Sequence, residues 1–365
     1  MRKTLYLHIG MGKTGTTALQ NFFAAHERVM AARGVVYPRR CQIAHAHHLA
    51  SPHHPPFLDN SGWKFERPED WAPALAQGAA PAYLMSSELI AWAAPEKVGP
   101  YCAAIMAHLD LRIVLYLRRQ DNIIMAGYNQ QLKAGTQKRP IHAVIDKQLD
   151  RFDYLARIAP WEAEVGTANI IVRPYERQQF HEGDLRKDFL HNVLGIADMS
   201  GFDFAPAGNS NPRYARAAME YKRFVNCVFQ NVDDSNAFNP LLLRYSADAS
   251  AAATDVFVEH DTLSKADRRA VLDRFAADNA HIARTYMGRE GGVLFTDDRI
   301  ADDVEIPPVS EEAFADITAL IRAQEPRLYK RLVARLREID DEEAFIVKQA
   351  RNFLSRSLQE APAAD

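Results

Sequence analysis

An apolar run, Leu5-Tyr-Leu-His-Ile9, enters a turn holding Gly10, Gly12 and Gly15, and a helical pattern begins at Thr16 or Thr17. Strand, glycine turn and helix in that order aim backbone N–H groups and a helix N-terminus at one spot, which makes an anion cradle. Lys13 adds a full positive charge, and Thr14, Thr16 and Thr17 add hydroxyl donors. The segment reads as a phosphate or sulfate site; a glycine-rich turn without a ligand is the bland alternative.

The rest of the chain supplies a frame for this turn. Apolar runs predict strands at residues 4–9, 81–86, 112–117 and 169–173, with helical patterns at 16–33, 96–108 and 120–134. Strands separated by helices imply an α/β fold with a parallel sheet covered on both faces. Ligands of such sheets bind at the carboxyl ends of the strands, where the loop at 10–17, Glu88 and Arg118 would collect. From about Asn209 the pattern turns helical, including 211–230 and 263–287, and Pro307-Pro308 marks a boundary. We therefore expect an α/β domain over 1–305, its second half mostly helical, and a helical C-terminal extension over 306–365. Within 326–356, Leu328, Leu332, Leu336 and Ile339 share one face, which suits a packing arm or a homodimer contact.

Which anion the turn serves depends on where its lysine stands. A nucleoside-triphosphate loop reads G-x-x-x-x-G-K-[ST]. Gly10 and Gly15 have that separation, but Thr16 occupies the lysine position and the lysine comes earlier, at 13. No apolar strand ends in an acidic residue suited to orienting magnesium. An anion that brings no metal fits better, and no metal is expected.

The order Lys13-Thr-Gly-Thr-Thr17 after a first strand resembles the phosphosulfate loop of sulfotransferases that use 3′-phosphoadenosine 5′-phosphosulfate (PAPS). The resemblance extends over the first 195 residues. Arg112-Ile-Val-Leu-Tyr-Leu117 reads as a buried strand, and Arg118 falls where the family places an arginine on the 3′-phosphate. Ala126 stands where the family has a serine for the same phosphate, a departure that leaves part of that contact unassigned. Tyr175-Glu176, after the strand at 169–173, matches a pair whose tyrosine packs at the adenine. Phe275 to Phe295, with Asn279, Arg284, Tyr286 and Gly288, looks like the closing segment of bacterial members. The resemblance implies a three-layer P-loop-like fold and a PAPS-dependent transferase. In it, Gly12, Lys13, Thr14, Gly15, Thr16 and Thr17 bind the phosphosulfate, with Lys13 at the bridging oxygen and sulfonate, Arg118 at the 3′-phosphate and Tyr175 at the adenine.

Sulfuryl transfer also needs a general base within hydrogen-bond reach of the acceptor. Glu88, in Tyr83-Leu-Met-Ser-Ser-Glu-Leu89, lies just past a strand at the expected end of the sheet. It could equally cap a helix starting at Ser86 or Ser87. The rival is His48, one of five histidines (His45, His47, His48, His53 and His54) crowded into a Pro-containing loop. That loop admits packing, acceptor contact or proton transfer, or a metal, although its spacing matches no zinc motif. A glutamate base points toward a carbohydrate or glycolipid hydroxyl, since several glycan sulfotransferases of the family use one. A magnesium–ATP kinase and a non-catalytic nucleotide-binding protein are the other classes the loop allows.

Composition sets the outer bounds. With 365 residues and 47% apolar content the chain can bury a large core, and a net charge of −3 gives no reason to expect nucleic acid. Cys41, Cys102 and Cys227 are odd in number and far apart, which suits a reducing compartment. The apolar stretch after Met1-Arg-Lys is too short for a secretory leader and ends at Lys13, and no run approaches the ~20 residues of a membrane span. The expectation is a cytoplasmic protein acting on a small-molecule or glycan acceptor.

Overall fold

The computed structural model describes residues 2–59, 62–205, 214–252, 263–297, 310–338 and 347. Five strands, β1 (Thr4–His8), β2 (Val35–Val36), β3 (Ala82–Ser86), β4 (Asp110–Leu117) and β5 (Ile170–Pro174), form one sheet in the order β2-β3-β1-β4-β5. Every pairing is parallel; Leu5 sits between Tyr83 of β3 and Leu111 of β4. Four of these strands were expected from the apolar runs. The fifth, β2, is a two-residue edge strand, too short to leave a periodic signal.

By internal contacts the chain divides into two units, residues 1–120, 152–207 and 272–298 in the first and 121–151, 208–271 and 299–365 in the second. The first unit holds the sheet. The strands are buried on both sides, as a parallel sheet requires, so β4 reads as an unbroken apolar run from Ile113 to Leu117. On one face, Leu84, Val114 and Tyr116 pack against Leu19, Phe22 and Phe23 of helix α1 (Thr16–Ala25) and against Phe189, Leu190 and Val193. Each such large apolar side chain contributes about 1.5–3 kcal/mol on burial. Helices Pro95–Met106 and Tyr154–Val165 pack on the opposite side, with Tyr101 edge-on to Trp161 at 6.2 Å between ring centroids. The helix expected over 16–33 breaks at His26, whose φ of −112° and ψ of 21° leave the helical region before Glu27–Ala32 resumes.

One buried carboxylate fastens three elements of this unit. Asp188 is wholly buried and accepts from Arg173 Nη2 on β5 (2.6 Å), Tyr116 Oη on β4 (2.7 Å), Asn192 Nδ2 (2.7 Å) and the His181 N–H (3.0 Å). Burial alone would raise its pKa, but the hydrogen bonds from Arg173 and Tyr116 outweigh that and hold it below the ordinary carboxylate value.

The described residues of the second unit hold helices and no strand. Tyr221, Phe224 and Phe314 meet with centroids 5.0 to 5.9 Å apart. Helix Pro326–Glu338 buries Leu328, Leu332 and Leu336, so the apolar face read from the sequence is covered inside this unit as far as Glu338. Ile339, the rest of the helix expected to 356, and the boundary near 306 lie outside the described residues. Lys222 is buried here; its ammonium donates to the Ser235 carbonyl (2.6 Å), Ser235 Oγ (2.7 Å) and Asn236 Oδ1 (3.1 Å), with no carboxylate partner among the described residues, and burial pushes its pKa down to about 7.

Because the folded pKa of Asp188 is depressed, its contribution is complete above about pH 4, the unfolded value, and is lost as pH falls through the lower folded value. Asp188→Ala strands Arg173 and Tyr116 and should cost about 3–5 kcal/mol at neutral pH. Asp188→Asn should also be less stable at pH 7 and show a flatter loss of stability below about pH 4 than wild type. Urea unfolding across that range measures both.

Candidate functional site

All the residues singled out as a site lie in the first unit, and the sheet brings them to one end. The switch point of the strand order falls between β1 and β4, because the chain leaves β1 toward β2 and leaves β4 toward β5. Crevices of this kind, outside the carboxyl ends of the strands, are where open parallel sheets bind ligands. The turn after β1 occupies it. Lys13 adopts φ 71° and Gly15 φ 76°, so two positions within three residues lie in the left-handed region. A lysine held there is strained by roughly 1–3 kcal/mol, a feature that concentrates at functional sites. α1 starts with no side-chain cap, and the N–H groups of Gly15, Thr16 and Thr17 find no acceptor among the described residues. These are the open donors that an anion can take up.

Arg118, directly after β4, donates from Nη1 to the Lys13 carbonyl at 3.1 Å, and its guanidinium lies 5.7 Å from the centre of the Tyr175 ring. Tyr175 follows β5 with its N–H on the Leu117 carbonyl (2.6 Å) and its ring beside Gly15. Turn, arginine and tyrosine thus meet. Burial lowers the pKa of Lys13, the neighbouring Arg118 adds to the effect, and Glu88 opposes both. Two cations and a carboxylate therefore share one field at the end of the sheet.

The threonines divide. Thr14 is buried and its hydroxyl donates to the Met11 carbonyl, so its side chain braces the turn. Thr16 is buried, whereas Thr17 is exposed in the first turn of α1. Above Gly12 there is open space, with nothing within 4 Å of a Cβ built there.

Glu88 and His48 come together. His48 Nε2 stands 4.0 Å from Glu88 Oε1, and His48 Nδ1 lies 2.9 Å from Ser87 Oγ. Burial pushes the His48 pKa below its usual value, with the charge of Glu88 opposing it, so the ring is neutral at pH 7. The other histidines of the loop have separate uses. His47 is buried, accepts the Ser86 N–H at Nδ1 (3.1 Å) and donates from Nε2 to the Pro38 carbonyl (2.8 Å), which pins the loop to β3. Burial takes its pKa down to about 4 against those backbone bonds. His54 stacks on Phe65 at 3.7 Å. Among the described residues no group of three or more His, Cys, Asp or Glu is placed to hold a metal ion, and no helix is long and apolar enough to cross a membrane.

Three residues absent from the sequence-based site line its floor. Gln20 on α1 is buried and donates from Nε2 to Glu88 Oε2 (3.1 Å) and Ser86 Oγ (3.3 Å). Ser86 Oγ in turn lies 2.8 Å from Nδ1 of His8, which is wholly buried with a pKa pushed down to about 3 by desolvation. The available signal was a polar residue on an otherwise apolar stripe, Gln20 between Leu19 and Phe23, and a histidine inside a buried strand. Arg119, next to Arg118, is buried and bonded to the Asp297 carbonyl; of the residues named from the sequence, Asn279 exchanges amide hydrogen bonds with Gln120 (2.8 and 3.0 Å), and Tyr286 donates to Glu162 (2.8 Å). Glu176 accepts the Thr296 N–H at 2.8 Å. The segment from Asn279 to Asp297 is in this way clasped to the ends of β4 and β5. Ala126 belongs to the second unit.

No protein-family model matches this chain, and no solved structure matches it. It is 26% identical over 190 residues to an uncharacterized protein of Archaeoglobus fulgidus, an alignment covering 52% of this chain and 49% of that protein. The chain spans about half the length of the curated relative it matches.

The packing of the turn is testable by substitution. A Cβ on Gly15 would lie 2.4 Å from Leu185 Cδ2 and 3.1 Å from Tyr175 Cε2, at a positive φ. Gly15→Ala should cost about 1–3 kcal/mol, whereas Gly12→Ala, in open space, should stay within about 0.5 kcal/mol. Chemical denaturation of the two variants checks the contrast.

Proposed function

We propose that this chain is a sulfotransferase that moves a sulfuryl group from PAPS to an acceptor hydroxyl on a carbohydrate or glycolipid, on a P-loop-like fold. The observation that carries the reading is the meeting of Lys13, Arg118 and the open N–H groups of α1 at the switch point of the sheet. A doubly anionic ligand fits that combination: one group in the turn, the other toward Arg118, and an aromatic face at Tyr175 for a base. The lysine at 13 rather than 16 favours sulfate chemistry over a magnesium-bound triphosphate.

In the proposed reaction the acceptor oxygen bonds to sulfur as the bond from sulfur to the bridging 5′-phosphate oxygen breaks, giving a sulfate ester and 3′-phosphoadenosine 5′-phosphate. Lys13 and the turn amides meet the charge that grows on the leaving oxygen. Glu88 takes the acceptor proton through Oε1, since Oε2 is engaged by Gln20. His48, neutral and oriented by Ser87, borders the acceptor side of Glu88 and is the second candidate for that proton.

Calorimetry with 3′-phosphoadenosine 5′-phosphate in the absence of magnesium, beside ATP with magnesium, tests the reading. Wild type should bind the first without metal, and Lys13→Ala should weaken binding by about 10-fold or more, the loss of one charge-assisted contact. Binding of magnesium–ATP alone would make the kinase the better assignment. Binding of neither would leave the turn without a nucleotide. Glu88→Gln should keep nucleotide binding and lose sulfate transfer by about 10²-fold or more, measured with radiolabelled PAPS and a panel of sugar acceptors.

A further inference from the structure

We propose that Gln20, held by Ser86 and the buried His8, is the positioning residue for Glu88. The inference rests on the reading of Glu88 as the proton acceptor, but its geometry stands apart from that reading. It follows from which atom in the chain of contacts must donate. Glu88 Oε2 is a carboxylate oxygen, so the Gln20 atom 3.1 Å away must be its NH2 group; the reverse amide orientation would set a carbonyl oxygen against the carboxylate. The same nitrogen lies 3.3 Å from Ser86 Oγ, which therefore accepts its second hydrogen. Ser86 Oγ also shares a hydrogen bond with His8 Nδ1 at 2.8 Å.

His8 ends this chain. It is wholly buried, its ring stays neutral, and its Nε2 finds no hydrogen-bond partner among the described residues. The ring is instead fixed by packing, edge-on to Phe189 at 5.3 Å and to Tyr116 at 6.1 Å. Nε2 also lies beneath the turn, 3.4 Å from where a Gly10 Cβ would stand. A neutral, sterically locked imidazole thus sets the Ser86 hydroxyl, the hydroxyl sets the Gln20 amide, and the amide holds one oxygen of Glu88. The other oxygen, Oε1, is left facing His48 at 4.0 Å, longer than a hydrogen bond. Every link sits on a strand, a helix or the residues directly after a strand: His8 ends β1, Ser86 ends β3, and Gln20 lies one turn into α1. This fixes the carboxylate relative to the turn that the phosphosulfate would occupy.

The test is nuclear magnetic resonance of the full chain labelled with 15N at glutamine side chains, the Gln20 signal being assigned by its loss in Gln20→Leu. The Gln20 amide protons should move as Glu88 is protonated by acid, and that movement should disappear in Glu88→Ala and change in Ser86→Ala. An amide signal indifferent to both substitutions would overturn the proposal. In transfer assays Gln20→Leu should lower kcat by about 10²-fold, the effect of misplacing a reacting group, with KM and binding of 3′-phosphoadenosine 5′-phosphate unchanged. Equal loss of nucleotide binding and thermal stability, with KM raised as much as kcat is lowered, would reduce Gln20 to packing and also overturn it. If the amide follows Glu88 while the nucleotide does not bind wild type, the clamp holds and the sulfotransferase reading fails. If the nucleotide binds and the amide ignores Glu88, the reverse is true.

Discussion

β1 hydrogen-bonds along both edges, to β3 on one side and β4 on the other, and this central position governs what its following loop can do. With both lateral exits closed, the chain must leave β1 along the strand axis and reverse into α1 before residue 16. So tight a reversal needs residues that accept positive φ, and the chain uses Gly10, Lys13 and Gly15. The reversal also leaves the first N–H groups of α1 without an acceptor among the described residues. An open anion cradle follows from the topology before any side chain is considered.

The side chains then concentrate charge on that cradle. Lys13 is the one strained position of the turn that is not glycine, and the Arg118 guanidinium holds its carbonyl. Since a peptide plane is trans, a carbonyl turned toward β4 sends the following N–H the opposite way, so Arg118 orients the turn as well as adding charge. Tyr175 closes against Gly15 and places an aromatic ring under the same arginine. Burial, and after it the neighbouring Arg118 charge, lowers the pKa of Lys13, and Glu88 partly offsets both. An arrangement that disfavours a bare lysine charge is one that an anion would relieve.

Much of this was legible in the sequence because it rests on local signals. The turn announced itself through glycine spacing, and β4 through five residues of unbroken apolarity before Arg118. His48 and Glu88 were named as rivals from separate segments, and the fold sets them 4.0 Å apart. What stayed hidden has a common cause: it depends on pairing between distant segments. Gln20 reads as an ordinary polar helix residue until β3 brings Ser86 and Glu88 to it, 66 and 68 residues away in sequence. Asp188 carries no motif, and its importance comes from burial beside Tyr116 and Arg173. β2 has two residues and no period to detect. The break at His26 is equally silent, because its ring packs tilted against Phe22 one turn back in a pattern that otherwise continues as a helix.

The division between rigid and exposed parts bears on how such a site would choose its acceptor. Lys13 after β1, Arg118 after β4 and Tyr175 after β5 are anchored in the sheet, with β4 and β5 fastened by Asp188. His48 stands instead on the long connection between β2 and β3, tied down at His47 by the backbone of Ser86 and Pro38. The same connection carries Trp63, half exposed, and the His54–Phe65 stack. Precision in group transfer comes from rigid elements, and variation in what is bound comes from loops that the scaffold presents. Apart from His47 and His48, which touch Ser86, Ser87 and Glu88, the described residues of this connection can vary while the turn, Arg118 and Glu88 keep their places, because those groups are carried by β1, β4 and β3.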